Sequence, residues 1–549
     1  MVWACVPRVD GDPVFSSLLD DRAWDDTQAR GFWAIELENC ISVEQHYLRN
    51  TPILVTRQSD AQGNAIETYD FCPRHKHKGR MYRPVAFIRI VRPVAGSPRV
   101  RVRLRPTTNW NGEKVPINYG SNHIRMVLSY MAMRVSTNAP IGLISQESWF
   151  RLEQDLHFFM GPDESFSDAL RPAIERMLDD TIEEWRLWVR GLAIPAEWQE
   201  AVIRSAITLK LCQHEETGAI VAALTTSIPE HADSGRNWDY RYTWIRDASF
   251  TVYAFMRLGF VEEANAYMRW LRGRVSDCCG QPTKINILYG IDGRQELPET
   301  ELDHLGGHGG ATPVRIGNEA FDQIQLDIYG ELMDAVYLVN KYGEAISHEG
   351  WKHTVEVADQ VCEIWNHKDV GIWEMRGEQH HFLHSRLMCW VALDRAIRLA
   401  SKRSLPAPFA RWDQTRQAIY ADIWSNFWNE ERGHFVQYIG STALDGSMLL
   451  MPLVRFVAAT DPRWLSTLEA IQKSLVRDGM VYRYRNDDSQ IDGLQGTEGA
   501  FAACSFWYVE CLARAGQVEK AHLEFEQLLR YANPLGLYAE EFDNQARHL

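Results

Sequence analysis

The sequence has no run of 18 apolar residues, and its N-terminus lacks a charged stretch followed by an apolar one. Neither a membrane-spanning helix nor a secretory leader is read from it. It also lacks an excess of positive charge. Lys and Arg number 58 against 73 Asp and Glu, a formal net charge of −15, which argues against nucleic acid or a membrane surface as partner and suits a neutral ligand. No CxxC spacing or pairing framework appears among the ten cysteines, at 5, 40, 72, 212, 278, 279, 362, 389, 504 and 511. Cys212, Cys362, Cys389, Cys504 and Cys511 sit in apolar helical patterns, where free thiols act as small hydrophobes. The expectation is reduced thiols in a cytoplasmic protein. No metal is called for either. CPRHKHKG (72–79) sets Cys72, His75 and His77 together, but without the fourth ligand and spacing of a zinc site, and reads as an exposed basic turn.

What the chain does have is aromatic and charged residues crowded into one place. Arg236 to Phe250 reads RNWDYRYTWIRDASF, and the apolar run TVYAFMRLGF follows directly. Five aromatics, three arginines and two aspartates at the mouth of a helix make a poor core. They suit a pocket that stacks on the C–H face of a sugar and takes its hydroxyls with Asp and Arg. The plainer reading is a helix start with Asp239 as its cap. Twenty tryptophans in 549 residues fit the sugar reading.

Residues 1–162 read as an antiparallel β-sandwich: RPVAFIRIVRPV (83–94) and RVRVRLRP (99–106) alternate polar and apolar, as half-buried strands do. Residues 163–195 have helical period with Glu/Asp-to-Arg pairing and read as a linker helix. From 196 to 549 the pattern is helix after helix, eleven segments from 196–213 to 516–532, including 318–341 and 444–457. Helix pairs separated by motif-bearing loops fit an (α/α)6 toroid. The expectation is that its last helix is missing, since the chain stops at Leu549. The long loop 278–317, with His304 and His308, reads as a lid.

Two loops carry carboxylates in chemical settings. In GIWEMRG (371–377), Glu374 follows Trp373, whose apolar surface would disfavour the charged form, as a general acid requires. GLYAEEFD (536–543) sets Glu540, Glu541 and Asp543 behind an aromatic. These lie far apart in sequence and meet only if the fold closes on itself.

With DYRYTWIRD (239–247), PVRIGNEAFDQIQLDIYGELMDAV (313–336), GIWEMRG (371–377), FLHSRLMCWVALDRA (382–396), EGAFAACSFW (498–507) and GLYAEEFD (536–543) in this order, the chain resembles glycoside hydrolase family 15. That family holds glucoamylases, glucodextranases and bacterial-type trehalases. The resemblance implies an (α/α)6 barrel behind a β-sandwich and inverting hydrolysis of an α-linked glucose, with no cofactor. It makes Glu374 the general acid and Glu540 the general base. Arg246 and Asp247 match the pair that grips the terminal glucose, Tyr240, Trp244 and Trp373 match pocket aromatics, and Arg483 in VYRYRND matches a substrate arginine. Met375 stands where fungal relatives have a second glutamate. The leading expectation is exo-hydrolysis of maltooligosaccharides, with α,α-trehalase as the alternative. A disaccharide phosphorylase or a non-catalytic sugar-binding protein are the remaining readings. The partner in each case is a neutral oligosaccharide or disaccharide; oligomeric state is not legible.

Overall fold

A computed structural model describes residues 1–20, 28–166, 168–231, 235–277, 285–485, 492–493, 498–543 and 547–548. The eight described cysteines are all free thiols; Cys278 and Cys279 lie outside the described residues. Two compact units emerge. One holds Met1–Thr208, Leu302–Val314 and Pro534–Leu537, the other Leu209–Glu301, Arg315–Asn533 and Tyr538–Leu549. Among the described residues no helix is long and apolar enough to cross a membrane.

The first unit is sheet-rich. Its strands are β1 (Phe32–Leu37), β2 (Cys40–Tyr47), β3 (Leu54–Asp60), β4 (Ala65–Phe71), β5 (Phe87–Ala95), β6 (Arg99–Arg105), β7 (Ile117–Tyr119), β8 (His123–Val127), β9 (Ala132–Thr137), β10 (Phe150–Arg151) and β11 (Leu156–Pro162). They form an eight-stranded sheet, β7-β8-β9-β11-β5-β4-β3-β2, and a three-stranded one, β10-β6-β1, with every pairing antiparallel. The alternation in RVRVRLR decides which face is buried. Val100 and Val102 join Trp33, Met126, Val135 and Phe158 in one apolar core, while Arg101 reaches across the other face to Glu36 at 2.8 Å. The neighbouring residue Phe159 points the opposite way, into a second core with Ile88 and Ile90 that is closed by Ile174 and Leu178. Those two belong to α1 (Leu170–Arg190), whose buried residues 174, 178, 181, 185 and 189 trace one helical stripe.

His304 and His308 belong to this unit. His304 Nε2 lies 2.8 Å from the Trp110 carbonyl, and Gly307 donates to Leu19 O at 2.9 Å. This part of the expected lid is thus tied down by main-chain acceptors. In the expected basic turn, His75 is buried under Tyr82, while Cys72 and Lys76 to Arg80 are exposed.

Helix α2 (Gln199–Cys212) leads to the helical unit: α3 (Ile245–Leu258), α4 (Val261–Asp277), α5 (Asp327–Tyr342), α6 (His348–Ile364), α7 (Leu383–Arg403), α8 (Phe409–Asn426), α9 (Pro462–Ser474), α10 (Ala502–Arg514) and α11 (Val518–Leu529). Helix α5 packs on α3 and α7, α7 on α8, and α10 on α11. At the α5–α7 crossing a Cβ on Gly330 would stand 2.2 Å from the Met388 carbonyl; only glycine lets the backbones approach so closely.

Two expected helices are shorter than their period suggests. In 318–341, Asn318 caps a 3-10 turn over Glu319–Asp322 and the α-helix begins only at Asp327. In 444–457, Asp445 caps a 3-10 turn over Gly446–Leu449, and one helical turn, Leu450–Leu453, follows. Pro452 has no N–H to carry an α-helix onward, and Arg455 leaves it at φ 67°.

Short strands, too brief to show a period, complete this unit. β12 (Thr243–Trp244) pairs with β13 (Leu288–Tyr289). β14 (Val476–Arg477), β15 (Met480–Tyr482), β16 (Ala500–Phe501) and β17 (Glu541–Phe542) form an antiparallel sheet in that order. That small sheet closes a long sequence gap: Ala502 N donates to Glu540 O at 2.9 Å.

Candidate active site

All eight residues singled out in the sequence line one cavity of about 500 Å3 in the helical unit: Tyr240, Trp244, Arg246, Asp247, Trp373, Glu374, Arg483 and Glu540. The cavity falls within the usual size of small-molecule sites.

Its first wall is the start of α3. Trp244, not Asp239, is the residue before the helix. Asp239 is instead fully buried, held by both arms of Arg241 at 2.8 and 2.7 Å and by Gly317 N. This pair lets the aromatic stretch turn into the helix without leaving a charge unmatched. Arg246 then donates to Ile372 O at 2.8 Å and approaches Glu374 Oε1 and Asp247 Oδ2 at 3.3 and 3.2 Å.

Residues 370–377 form the second wall. Gly371 has φ 70°, and a Cβ there would strike the Phe382 ring at 2.9 Å. Glu374 itself has φ 55°, a left-handed conformation that costs a non-glycine residue energy and is held by its surroundings. The holding groups are visible. Asp369 accepts from Leu326 N at 2.8 Å and from the Ser385 hydroxyl at 2.7 Å. Arg376 N donates to Asp492 O at 2.9 Å, and Trp373 Nε1 donates to Asp445 Oδ1 at 2.9 Å. Met375 is buried with Val370, Phe382 and Tyr484. The indole facing the Glu374 carboxyl is not Trp373 but Trp244, whose Nε1 donates to Oε1 at 2.7 Å. Polar donors therefore surround Glu374 where apolar surface was expected.

The third wall carries Glu540. Its carboxyl is open to the cavity but enclosed by protein around it. That enclosure, with the charge of Glu230 added and Arg483 opposing, pushes it up to about 7. Tyr240 links the two acids: its hydroxyl donates to Glu230 Oε1 at 2.8 Å and also faces Glu540. Behind them Arg483 meets Glu230 at 3.2 Å, Glu541 at 2.5 Å and Glu498. Burial raises Glu541 and Glu498, with Arg483 opposing. Arg236 pairs with Asp492 at 2.6 Å on the same side.

The eight residues thus come together, but the ionic network behind them was only partly foreseen. Arg236 and Trp238 stood in the aromatic stretch, and Glu498 and Phe501 stood in quoted motifs, none singled out, while Glu541 was named beside Glu540 without a role. Glu230 lies in SIPEH, where nothing in the local pattern marks it. The carboxylates of Glu230, Glu498 and Glu541 lie close enough to one another to hold a cation, but Arg483 already fills that role.

The family model for glycosyl hydrolases family 15 matches residues 197–549. A protein named trehalase from Mycolicibacterium smegmatis is 34% identical, with 100% of this chain aligned to 85% of that protein. One of the same name from Thermoplasma acidophilum is 32% identical over 99% of this chain and 92% of its own length. Among solved structures, a bacterial glucoamylase complexed with acarbose superposes with a TM-score of 0.65 at 15% identity, covering 92% of this chain and 82% of the other. That likeness gives the fold, an N-terminal sheet-rich region and a helical C-terminal domain. On the family match and the full-length relatives, this chain belongs to glycosyl hydrolases family 15 and is a glycoside hydrolase.

Proposed function

We propose that the chain hydrolyses α,α-trehalose to two glucose molecules, with inversion at the attacked carbon. The observation that carries the substrate is the pair of full-length relatives named trehalase at 32–34% identity. They favour the alternative drawn from the sequence over its leading expectation, a maltooligosaccharide hydrolase. Residues 196–549 are proposed as the catalytic domain, an (α/α)6 barrel behind a 1–162 sandwich and a 163–195 linker. The packing of α3, α5, α7 and α10 with their outer partners supports it.

In this reading Glu374 is the general acid, protonating the glycosidic oxygen, and Glu540 the general base, taking a proton from the attacking water. Inversion needs the two carboxyl groups on opposite sides of the bond, roughly 6.5–9.5 Å apart, with room for that water. Glu374 and Glu540 stand on different walls of one cavity. A base poised near 7 suits proton abstraction at neutral pH. Trp244 Nε1–H and Arg246 fix the Glu374 carboxyl. Arg246 and Asp247 grip the hydroxyls of the first glucose, and Tyr240 and Trp373 supply ring surface. Arg483 lines the same wall.

The test is glucose release from α,α-trehalose, maltose and maltotetraose by wild type, Glu374→Gln and Glu540→Gln. Turnover of trehalose, lost by roughly a hundredfold or more in each variant, with equal α- and β-glucose formed first, is the expected result. Preference for maltotetraose would restore the glucan reading. Turnover that needs phosphate would make it a phosphorylase, and binding without turnover a sugar-binding protein.

A further inference from the structure

Helices α3 and α10 each give their first turn to the catalytic cavity, through Arg246 and Asp247 and through Ala502 and Ala503. Their last turns, about 15–20 Å along the axis at 1.5 Å per residue, line a different hollow, of about 190 Å3, that shares no residue with the first. Six cations converge there: Arg257, Lys341, Arg395, Arg398, Arg455 and Arg514. In a chain of net charge −15 this is a local reversal of sign.

Three of the six are accounted for. Arg395 is held by Asp334 at 2.6 Å and Asp394 at 2.8 Å, Arg398 by Asp394 at 2.7 Å, and Arg514 by Glu510 at 2.6 Å. The other three are not. Arg257 and Arg455, both exposed, have no side-chain partner among the described residues, and Lys341, also exposed, lies 4.6 Å from the centre of the Tyr342 ring and donates to its hydroxyl. The hydrogen bond from Lys341, with the charges of Lys341, Arg257 and Arg455, holds the Tyr342 hydroxyl below the usual phenol range.

A plainer account exists for two of them. Arg257 and Lys341 occupy the last turns of α3 and α5, where a cation complements the helix dipole. It does not cover Arg455, which stands on a turn at φ 67°, a conformation unfavourable for an arginine. Nor does it explain why three cations without a carboxylate partner share a concavity, where mutual repulsion, though screened by solvent, raises their energy.

We propose that this hollow binds a phosphate dianion, free or as the monoester of a single sugar. Two negative charges with oxygen acceptors match unpaired arginines that donate in a fork. The volume of about 190 Å3 is below the range of pockets that enclose drug-sized molecules, so a nucleotide is too large. Tyr253 and Tyr337 in the lining offer ring faces for a hexose.

The test is calorimetric titration of the full chain with inorganic phosphate and with glucose 6-phosphate, sodium chloride holding ionic strength constant. One saturable site is expected, weakened by roughly a hundredfold in Arg257→Gln/Arg455→Gln through the loss of two charge-assisted bonds. Lys473→Gln, on an exposed i,i+4 pair elsewhere, should bind as wild type, and all variants should keep wild-type glycosidase rates without the anion. Tighter binding of glucose 6-phosphate assigns the tyrosines to the sugar; equal affinity assigns the site to phosphate alone. No saturable binding of either anion, affinity unchanged in the double variant, or displacement of the anion by the sugar substrate would each overturn the proposal.

Discussion

Replacing Glu230 by glutamine should move the acid limb of the pH–rate profile downward. The Tyr240 hydroxyl donates a hydrogen bond to Glu230 at 2.8 Å and also faces Glu540. A carboxylate reached through one intervening hydroxyl lies about 5 Å away, and two unit charges at that distance repel by about 3 kcal/mol at an effective dielectric near 20. Glu540 is open to the cavity and Arg483 offsets part of the repulsion, so the net effect is nearer one pKa unit, at 1.36 kcal/mol per unit. The sign is fixed on two counts. The amide removes a negative neighbour and leaves Arg483 less compensated, and both favour ionised Glu540. As the proposed base, Glu540 must be ionised to act, so activity held in the wild type down to about pH 7 should persist about one unit lower in the variant. The assay is kcat/KM against pH with α,α-trehalose, the proposed substrate, with thermal melting to confirm an intact fold. An acid limb that stays in place or rises, with the plateau rate preserved, would refute the coupling.

Asp445→Ala should remove acceptors from Trp373 Nε1, Gln437 Nε2 and Ser447 N together; with three donors left unmatched at about 1 kcal/mol or more each, the urea midpoint should fall and tryptophan emission shift, whereas Asp445→Asn should recover part of both. Asp369 is pushed up to about 7, chiefly by burial. Between its unfolded value near 4 and that pH the folded state holds the extra proton, so stability contributed at this site falls as pH rises through the window. Asp369→Asn should flatten that part of the stability–pH curve measured by urea unfolding, and an unchanged slope would count against the assignment.

What could be read from the sequence was what leaves a repeating or dense local mark. The alternation of RVRVRLR and the long stripes of α1 and α6 to α8 became strands and helices in the expected places. The Arg236–Phe250 stretch became the cavity's first wall, with Asp239 and Arg241 paired and buried beneath it. Features made by distant partners were not legible. Nothing near Glu374 in sequence shows that its indole neighbour is Trp244 rather than Trp373. Nothing near Glu230 shows that it meets Arg483, which lies 253 residues along the chain. Asp239 resembles a helix cap in sequence, and only the fold supplies the Arg241 geometry and Gly317 N that bury it.

The same distance in sequence makes Arg483 a sharper test of the site than either carboxylate. Its guanidinium meets Glu230, Glu498 and Glu541, Arg236 reaches Glu498 and Asp492, and two cations cannot neutralise four anions. Protons must make up the difference, consistent with burial raising Glu498 and Glu541. Removing Arg483 therefore does more than delete a sugar contact. Arg483→Met leaves buried acids whose ionisation is unopposed, a loss of about 3–5 kcal/mol. It should bear hardest at high pH: acids with folded pKa values above their unfolded ones lose stability as pH rises, and loss of the guanidinium would raise them further. The variant should thus unfold at much lower urea than wild type at pH 8 and recover much of the difference at pH 5. A purely sugar-binding arginine predicts another pattern, a raised KM with stability unchanged at both pH values. If that is what the urea and kinetic measurements return, the carboxylates behind the cavity are already neutral without Arg483, and the charge balance argued for Glu540 fails with it.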